Sequence, residues 1–300
     1  MNDWDKLYDR AETLLSRLEG LLRADALDPD WDAAAFRWRK TGRAGFIEPV
    51  RYPDRITFEA LQGIERQKNL VDQNTRQFVR HHPANNVLLT GARGTGKSSL
   101  VKAMLNKYAD DGLRLIEVEK HDLIDLPQIV EKVYRRPERF ILYCDDLSFE
   151  SGEPGYKALK VILDGSIATA SENVLVYATS NRRHLMPEYM VDNQDTRHIG
   201  GEIHPSETVE EKTSLSERFG LWVSFYPFDQ EQYLGIVARW LAYFSIEKMD
   251  DSIREEALRW ALGRGSRNGR VAWQFARDWA GREKAGQKKT ADKTELGEER

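Results

Sequence analysis

The sequence predicts an α/β protein: a three-layer αβα domain on a five-stranded parallel sheet, followed by a small all-helical domain. Three observations carry this. After Pro83, short β-rich runs alternate with helical stretches, the pattern of parallel strands joined by crossover helices. The first run leads straight into a glycine-rich turn and a helix-forming segment, VLLTGARGTGKSSLVKAML from Val87 to Leu105. Beyond Asp229 the strand signal stops and apolar residues recur at spacings of three and four, the mark of amphipathic helices.

The elements follow in order. From Trp4 to Leu22, the residues Trp4, Leu7, Ala11, Leu14, Leu18 and Leu21 fall on one helical face, which reads as a packing helix. RWRKTGRAGFIEPVRYPDRI (37–56) is rich in Arg, Gly and Pro and reads as an extended connector, so residues 1–55 form an N-terminal helix and connector. ITFEALQGIERQKNLVDQNTRQFVR (56–80) is helical with a break at Gly63. Five strands are expected at Val87 to Thr90, Leu113 to Val118, Phe140 to Cys144, Val174 to Ala178 and Leu221 to Phe225, which makes 56–228 the α/β domain. QEQYLGIVARWLAYF, DSIREEALRWALGRG and RVAWQFARDWAG then supply three helices within 229–282. Residues 283–300 lack aromatics and periodicity and read as a disordered tail. No internal repeat is evident.

The composition narrows the function classes. Lys plus Arg number 45 and Asp plus Glu 49, for a net charge of −4. That balance argues against a nucleic-acid binder held by a large basic surface, although it leaves a local basic patch open. The single cysteine, Cys144, excludes an intramolecular disulfide framework and fits a reducing compartment. MNDWDKLYDR lacks the apolar core of a signal peptide, and no apolar run approaches the roughly 20 residues of a membrane span. The expected location is cytoplasmic, with no membrane association.

Gly91, Gly96, Lys97 and Ser98 satisfy G-x-x-x-x-G-K-[ST] behind a β-rich run, the context a P-loop requires. With average residue usage the pattern arises by chance in about one chain of this length in a hundred. Glycines let the backbone curl so that N–H groups face a phosphate, and the helix that follows presents its positive end there. The expected phosphate-binding residues are Gly91, Ala92, Arg93, Gly94, Thr95, Gly96, Lys97, Ser98 and Ser99. Lys97 brings charge to the β- and γ-phosphates of ATP, and the Ser98 hydroxyl is a Mg²⁺ ligand. A second Mg²⁺ ligand is expected at the end of a hydrophobic strand, and FILYCDDLSFE supplies Asp145. Asp146 would polarise an attacking water. VLVYATSN ends another strand run, and Asn181 can hydrogen-bond both γ-phosphate and water, with Ser180 the lesser candidate.

In this order the motifs resemble the AAA-plus ATPases. TSLSERFGLWVSF resembles the segment of replication-initiator and clamp-loader ATPases that ends in SRFG. The resemblance implies that Arg218 reaches in trans into a neighbouring subunit's nucleotide. SRNGRVAWQFARDW resembles their lid motif, which implies γ-phosphate sensing in cis by Arg270, with Arg267 in reserve. ITFEALQGIERQK resembles the segment that packs on the adenine, which points to Gly63 and Ile64. The likeness is greater still to a bacterial AAA-plus family catalogued only as a domain of unknown function, from about Ile56 to Trp279. It implies a P-loop NTPase fold with a helical lid, ATP and Mg²⁺ as ligands, and ATP hydrolysis coupled to conformational change in an assembly or protein client. Asp146 stands where the wider superfamily has Glu, so hydrolysis is expected to be slow; Glu150 sharing the role is the alternative.

The resemblance also implies a homo-oligomer. The polar stretch from Arg182 to Glu217 is too long for a simple connection and is expected to couple nucleotide state to a partner. Its His184, His198 and His204 have no metal-site spacing. Phe149 and Tyr156 in SFESGEPGYKAL are the local candidates for gripping a client. Two other functions fit the motifs: an ATP-dependent loader on a nucleic-acid complex, and a P-loop small-molecule kinase.

Overall fold

The computed structural model describes residues 8, 10, 12–13, 29–42, 44–149, 153–164, 172–181, 185, 197–199, 202–204 and 215–295. The expected N-terminal helix lies mostly outside them; Tyr8, Arg10, Glu12 and Thr13 are helical.

The chain enters with two strands, β1 (Ala35–Thr41) and β2 (Ala44–Pro49), followed by helix α1 (Glu65–Val79). β3 (Val87–Gly91) leads to α2 (Lys97–Tyr108), β4 (Leu113–Glu117) to α3 (Leu126–Val133), and β5 (Arg139–Cys144) to α4 (Pro154–Asp164). Then come β6 (Val174–Ser180), a small pair β7 (Arg197–Ile199) and β8 (Glu202–His204), and β9 (Leu221–Phe225). Helices α5 (Gln230–Tyr243), α6 (Asp251–Gly263) and α7 (Gly269–Glu295) close the chain.

Seven strands form one sheet in the order β2-β1-β4-β5-β6-β3-β9. All pair in parallel except β2, which runs antiparallel to β1. The five expected strands are all present and adjacent; the count of five is corrected to seven, because the expected connector is a hairpin added at the edge. Its cause is a period-two pattern hidden among arginines. Phe36 and Trp38 face inward while Arg37 is exposed and salt-bridged to Glu117. The Trp38 indole N–H donates to Asp125 at 3.0 Å, which fixes the hairpin to the domain.

Parallel strands are covered on both faces, and β5 is buried at every residue. One core joins α1, α2 and the three C-terminal helices on one face of the sheet; α3 and α4 close the other. The three C-terminal helices pack around Tyr233, Val237, Phe275 and Ala276. Asp229 and Asp250 cap α5 and α6 through the N–H groups of Gln232 and Ile253. Helix α7 continues to Glu295, into the segment read as a disordered tail, since Ala, Lys, Glu and Gln favour the helix locally.

Phe149 and Tyr156 do not form a client-gripping loop. They are 1% and 9% exposed, meet edge to face at 5.7 Å, and belong to the α3–α4 core. Phe149→Ala is therefore expected to cost about 3–5 kcal/mol of stability, read as a lower midpoint in urea. Glu150 and most of the stretch from 182 to 214 lie outside the described residues.

Candidate active site

The C-terminal ends of three adjacent strands meet at one place. In parallel register Thr90 faces Ser180 and Cys144 faces Ala178, so Gly91, Asp145 and Asn181, each at or one residue past a strand end, are brought side by side. Between β3 and α2 the loop 91–96 curls through three glycines of positive φ, and Gly96 starts the helix. The φ of +131° at Gly91 carries the loop past β9, whose Phe225 carbonyl lies 1.9 Å from where a Cβ would stand.

Lys97 is 6% exposed, and its ammonium donates to Gly91 O at 2.6 Å, Ala92 O at 2.8 Å and Asn181 Oδ1 at 3.0 Å. Burial pulls its pKa below the ordinary lysine value, against Asp145 and Asp146, while Arg93 adds to the lowering. Asp145 Oδ1 accepts from Ser98 Oγ at 2.7 Å, Tyr143 OH at 2.7 Å and Thr179 Oγ1 at 2.5 Å. Burial acts to raise the Asp145 carboxyl, but bonds from Thr179, Tyr143 and Ser98 outweigh it and hold it below the usual carboxylate value. Asp146 has φ +51°; its carboxylate accepts from Asn181 Nδ2 at 2.5 Å and lies 3.8 Å from the Arg93 guanidinium. Cys144 is buried, which pushes its thiol up to about 12, so it stays protonated.

A cleft of 1610 Å³ opens from this point toward the C-terminal helices. One wall is apolar, with Ile56, Leu61, Ile64, Phe228 and Trp240; α7 supplies Gly269, Arg270 and Trp273. The Gly269 N–H donates to Gly94 O at 2.8 Å, which seats the start of α7 on the loop and sets Arg270 beside it.

A family model described as "Protein of unknown function (DUF815)" matches residues 31–283. The chain belongs to that family. No curated protein matches the sequence. Solved structures do: the Holliday junction branch migration motor RuvB of Thermotoga maritima superposes with a TM-score of 0.50 at 16% identity. That match covers 75% of this chain and 63% of RuvB. A mutant of the same RuvB gives 0.52 at 14% identity, over 74% of this chain and 64% of that one. AMPPCP-bound DnaA from Aquifex aeolicus gives 0.49 at 16% identity, over 74% and 64%. The chain thus spans under two thirds of these proteins' lengths. At such identities the RuvB likeness establishes a shared fold and nothing finer.

Most residues expected at the site are brought together. Lys97, Ser98, Asp145, Asp146 and Asn181 form one hydrogen-bonded cluster. Arg93 to Ser99 line the cleft, as do Ile64 and Arg270. Gly63 turns the chain (φ +73°) against Phe228 behind that wall. Arg267 is exposed away from the cleft lining, and Ser180 is fully buried beside β3. Arg218 is not in the cleft: it precedes β9 at the opposite end of the sheet, where its Nε bonds Asp164 Oδ1 at 2.5 Å. Tyr143 and Thr179 were not anticipated; the signal available was their place, each two residues before a candidate at a strand tip.

Proposed function

We propose that the chain is a Mg²⁺-dependent ATPase whose hydrolysis is coupled to conformational change in a homo-oligomer or a protein client. The observation that carries this is the cluster itself: a phosphate-loop lysine and hydroxyl bonded to the acids and amide of two neighbouring strand tips, at the mouth of a cleft. The residues fit both ligands. The loop glycines leave room for phosphate at the α2 N-terminus, where backbone N–H groups and the helix dipole favour an anion. Lys97 would exchange its carbonyl partners for phosphate oxygens. Among the described residues no group of three or more acid, histidine or cysteine side chains could hold a metal alone. That suits Mg²⁺, a hard cation taken up with few protein oxygens and the phosphates; here Ser98 Oγ and Asp145 would hold it. When bound, it neutralises charge on the phosphates as the terminal bond breaks.

Asp146 and Asn181, at 2.5 Å from each other, would position the attacking water. The left-handed backbone at Asp146 is tolerated by Asp better than by most side chains, which accounts for Asp in place of Glu; its shorter reach supports slow turnover. The apolar wall at Ile64 would take the adenine, and α5 to α7 would form the lid, with Arg270 sensing the γ-phosphate. Arg218, pointing away from its own cleft, would act on a neighbour.

Free phosphate and ADP from ATP, dependent on Mg²⁺, are the expected products. Lys97→Ala is expected to lower turnover at least about 100-fold, measured by phosphate release. A phosphorylated small molecule in place of free phosphate would overturn this reading in favour of a kinase.

A further inference from the structure

Two buried hydroxyls stand behind the phosphate site and belong to neither the loop nor the expected strand-tip residues. Tyr143 and Thr179 are each 1% exposed. Tyr143 OH donates to Asp145 Oδ1 at 2.7 Å and also meets the Ser98 and Thr179 hydroxyls, whereas Thr179 Oγ1 reaches both acids. It donates to the same oxygen at 2.5 Å and accepts the backbone N–H of Asp146 at 2.9 Å. A hydroxyl carries one hydrogen and two lone pairs, so both bonds form at once.

The contact is set by the sheet. Cys144 pairs with Ala178, so the next residues along lie abreast, Thr179 within β6 and Asp145 one residue past β5. Ser98, Asp145, Thr179, Asp146, Asn181 and Lys97 then form a chain of hydrogen bonds that the peptide bond between Lys97 and Ser98 closes into a ring. Within that ring Thr179 is the side chain that joins the two acids. Asp146 holds a left-handed backbone, φ +51°, with its N–H spent on Thr179, so the hydroxyl also fixes the turn that aims the Asp146 carboxylate.

We propose that Tyr143 and Thr179 are positioning residues for the two acids, and that Thr179 ties the setting of Asp145 to that of Asp146. The proposal rests on the ATPase reading above. It separates the two hydroxyls: Tyr143 meets Asp145, Ser98 and Thr179 and serves the metal site, whereas Thr179 also takes the Asp146 N–H and so serves the metal site and the hydrolytic step.

The test uses the full chain as wild type, Tyr143→Phe, Thr179→Val and Thr179→Ser, with thermal melts to establish folding. A fluorescent ADP analogue is titrated with and without Mg²⁺, and single-turnover hydrolysis of ATP is followed at saturating Mg²⁺. The metal-free affinity is expected to stay within about twofold in all four, since neither hydroxyl touches the loop backbone. The gain in affinity on adding Mg²⁺ is expected to fall about tenfold in Tyr143→Phe and Thr179→Val, the loss of one bond to a charged group. The single-turnover rate falls about tenfold further in Thr179→Val alone, and Thr179→Ser behaves as wild type. A wild-type gain and rate in Thr179→Val would overturn the proposal. So would a Thr179→Ser as impaired as Thr179→Val, because the methyl and not the hydroxyl would then matter. An equal loss of hydrolysis in Tyr143→Phe would remove the distinction between the two. A wild type with no Mg²⁺-dependent gain would instead sink the ATPase reading itself, and this inference with it.

Discussion

Arg218→Ala is expected to lower ATP turnover by roughly 10³- to 10⁵-fold while nucleotide affinity and assembly stay within about twofold of wild type. The size follows from the chemistry: negative charge gathers on the transferred phosphoryl oxygens, and an arginine aimed at them acts only in the transition state. The position explains why affinity is spared. Arg218 lies before the first residue of β9, while the last, Phe225, sits against Gly91. Some 17 Å of strand, at roughly 3.3 Å per residue, separates it from its own phosphate loop. Its bond to Asp164 holds it at the rim of the sheet's far end, with the Arg218 side chain 24% and the Asp164 side chain 42% exposed. Turnover per subunit should rise with protein concentration in step with mass by light scattering. A mixture supplies the sharper check. Arg218→Ala subunits keep Lys97, and Lys97→Ala subunits keep Arg218, so mixed assemblies contain some complete sites and should recover part of the wild-type rate. Two inactive variants that stay inactive together, or an Arg218→Ala chain that turns over normally, would remove the trans mechanism and leave a monomeric nucleotide switch.

How much of this was legible in the sequence depends on where each signal is stored. The five central strands are short apolar runs because parallel strands are buried on both faces, and a continuous run such as Phe140 to Cys144 needs no partner to be recognised. The glycine-rich turn was equally plain, since its glycines and lysine all fall between Gly91 and Lys97. The hairpin β1–β2 was missed because its outward face carries Arg37 and Arg39, paired to Glu117 and Glu119 across the sheet. Those arginines read as connector until the acids on other segments are brought beside them. Thr179 was missed for a related reason: its contact with Asp145 is a matter of register between β5 and β6, whereas Tyr143 lies two residues before Asp145 on the same run and its place there was the one signal available. The aromatic turn failed in the opposite direction. Phe149 and Tyr156 follow an acidic strand end as a projecting loop would, yet their burial is decided by α3 and α4.

Gly91→Ala is expected to destabilise the whole protein by about 2–6 kcal/mol, the sum of a left-handed backbone strain of about 1–3 and an overpacking cost of about 1–3. Both terms act at this position. The φ of +131° is one that an L-residue rarely adopts, and the added Cβ would stand 1.9 Å from Phe225 O and 2.8 Å from Phe225 C. The obstacle is backbone in the paired strand β9, with Gly91 and Phe225 in register, so no side chain can swing aside to relieve it. Either β9 separates from β3 or the phosphate loop leaves its curl. Gly112→Ala separates the two terms, because Gly112 has φ +86° but nothing within 4 Å of its added Cβ; only the strain of about 1 kcal/mol should remain. Paired urea melts measure both. Against a total stability of about 5–15 kcal/mol, the Gly91 variant should be close to unfolding at 37 °C, and ATP should restore it poorly because the cradle itself is displaced. If Gly91→Ala melts like Gly112→Ala, the close approach of β9 to the loop is not what fixes the phosphate site. The site would then owe its shape to the loop's own conformation and to the Lys97 bonds to Gly91 and Ala92.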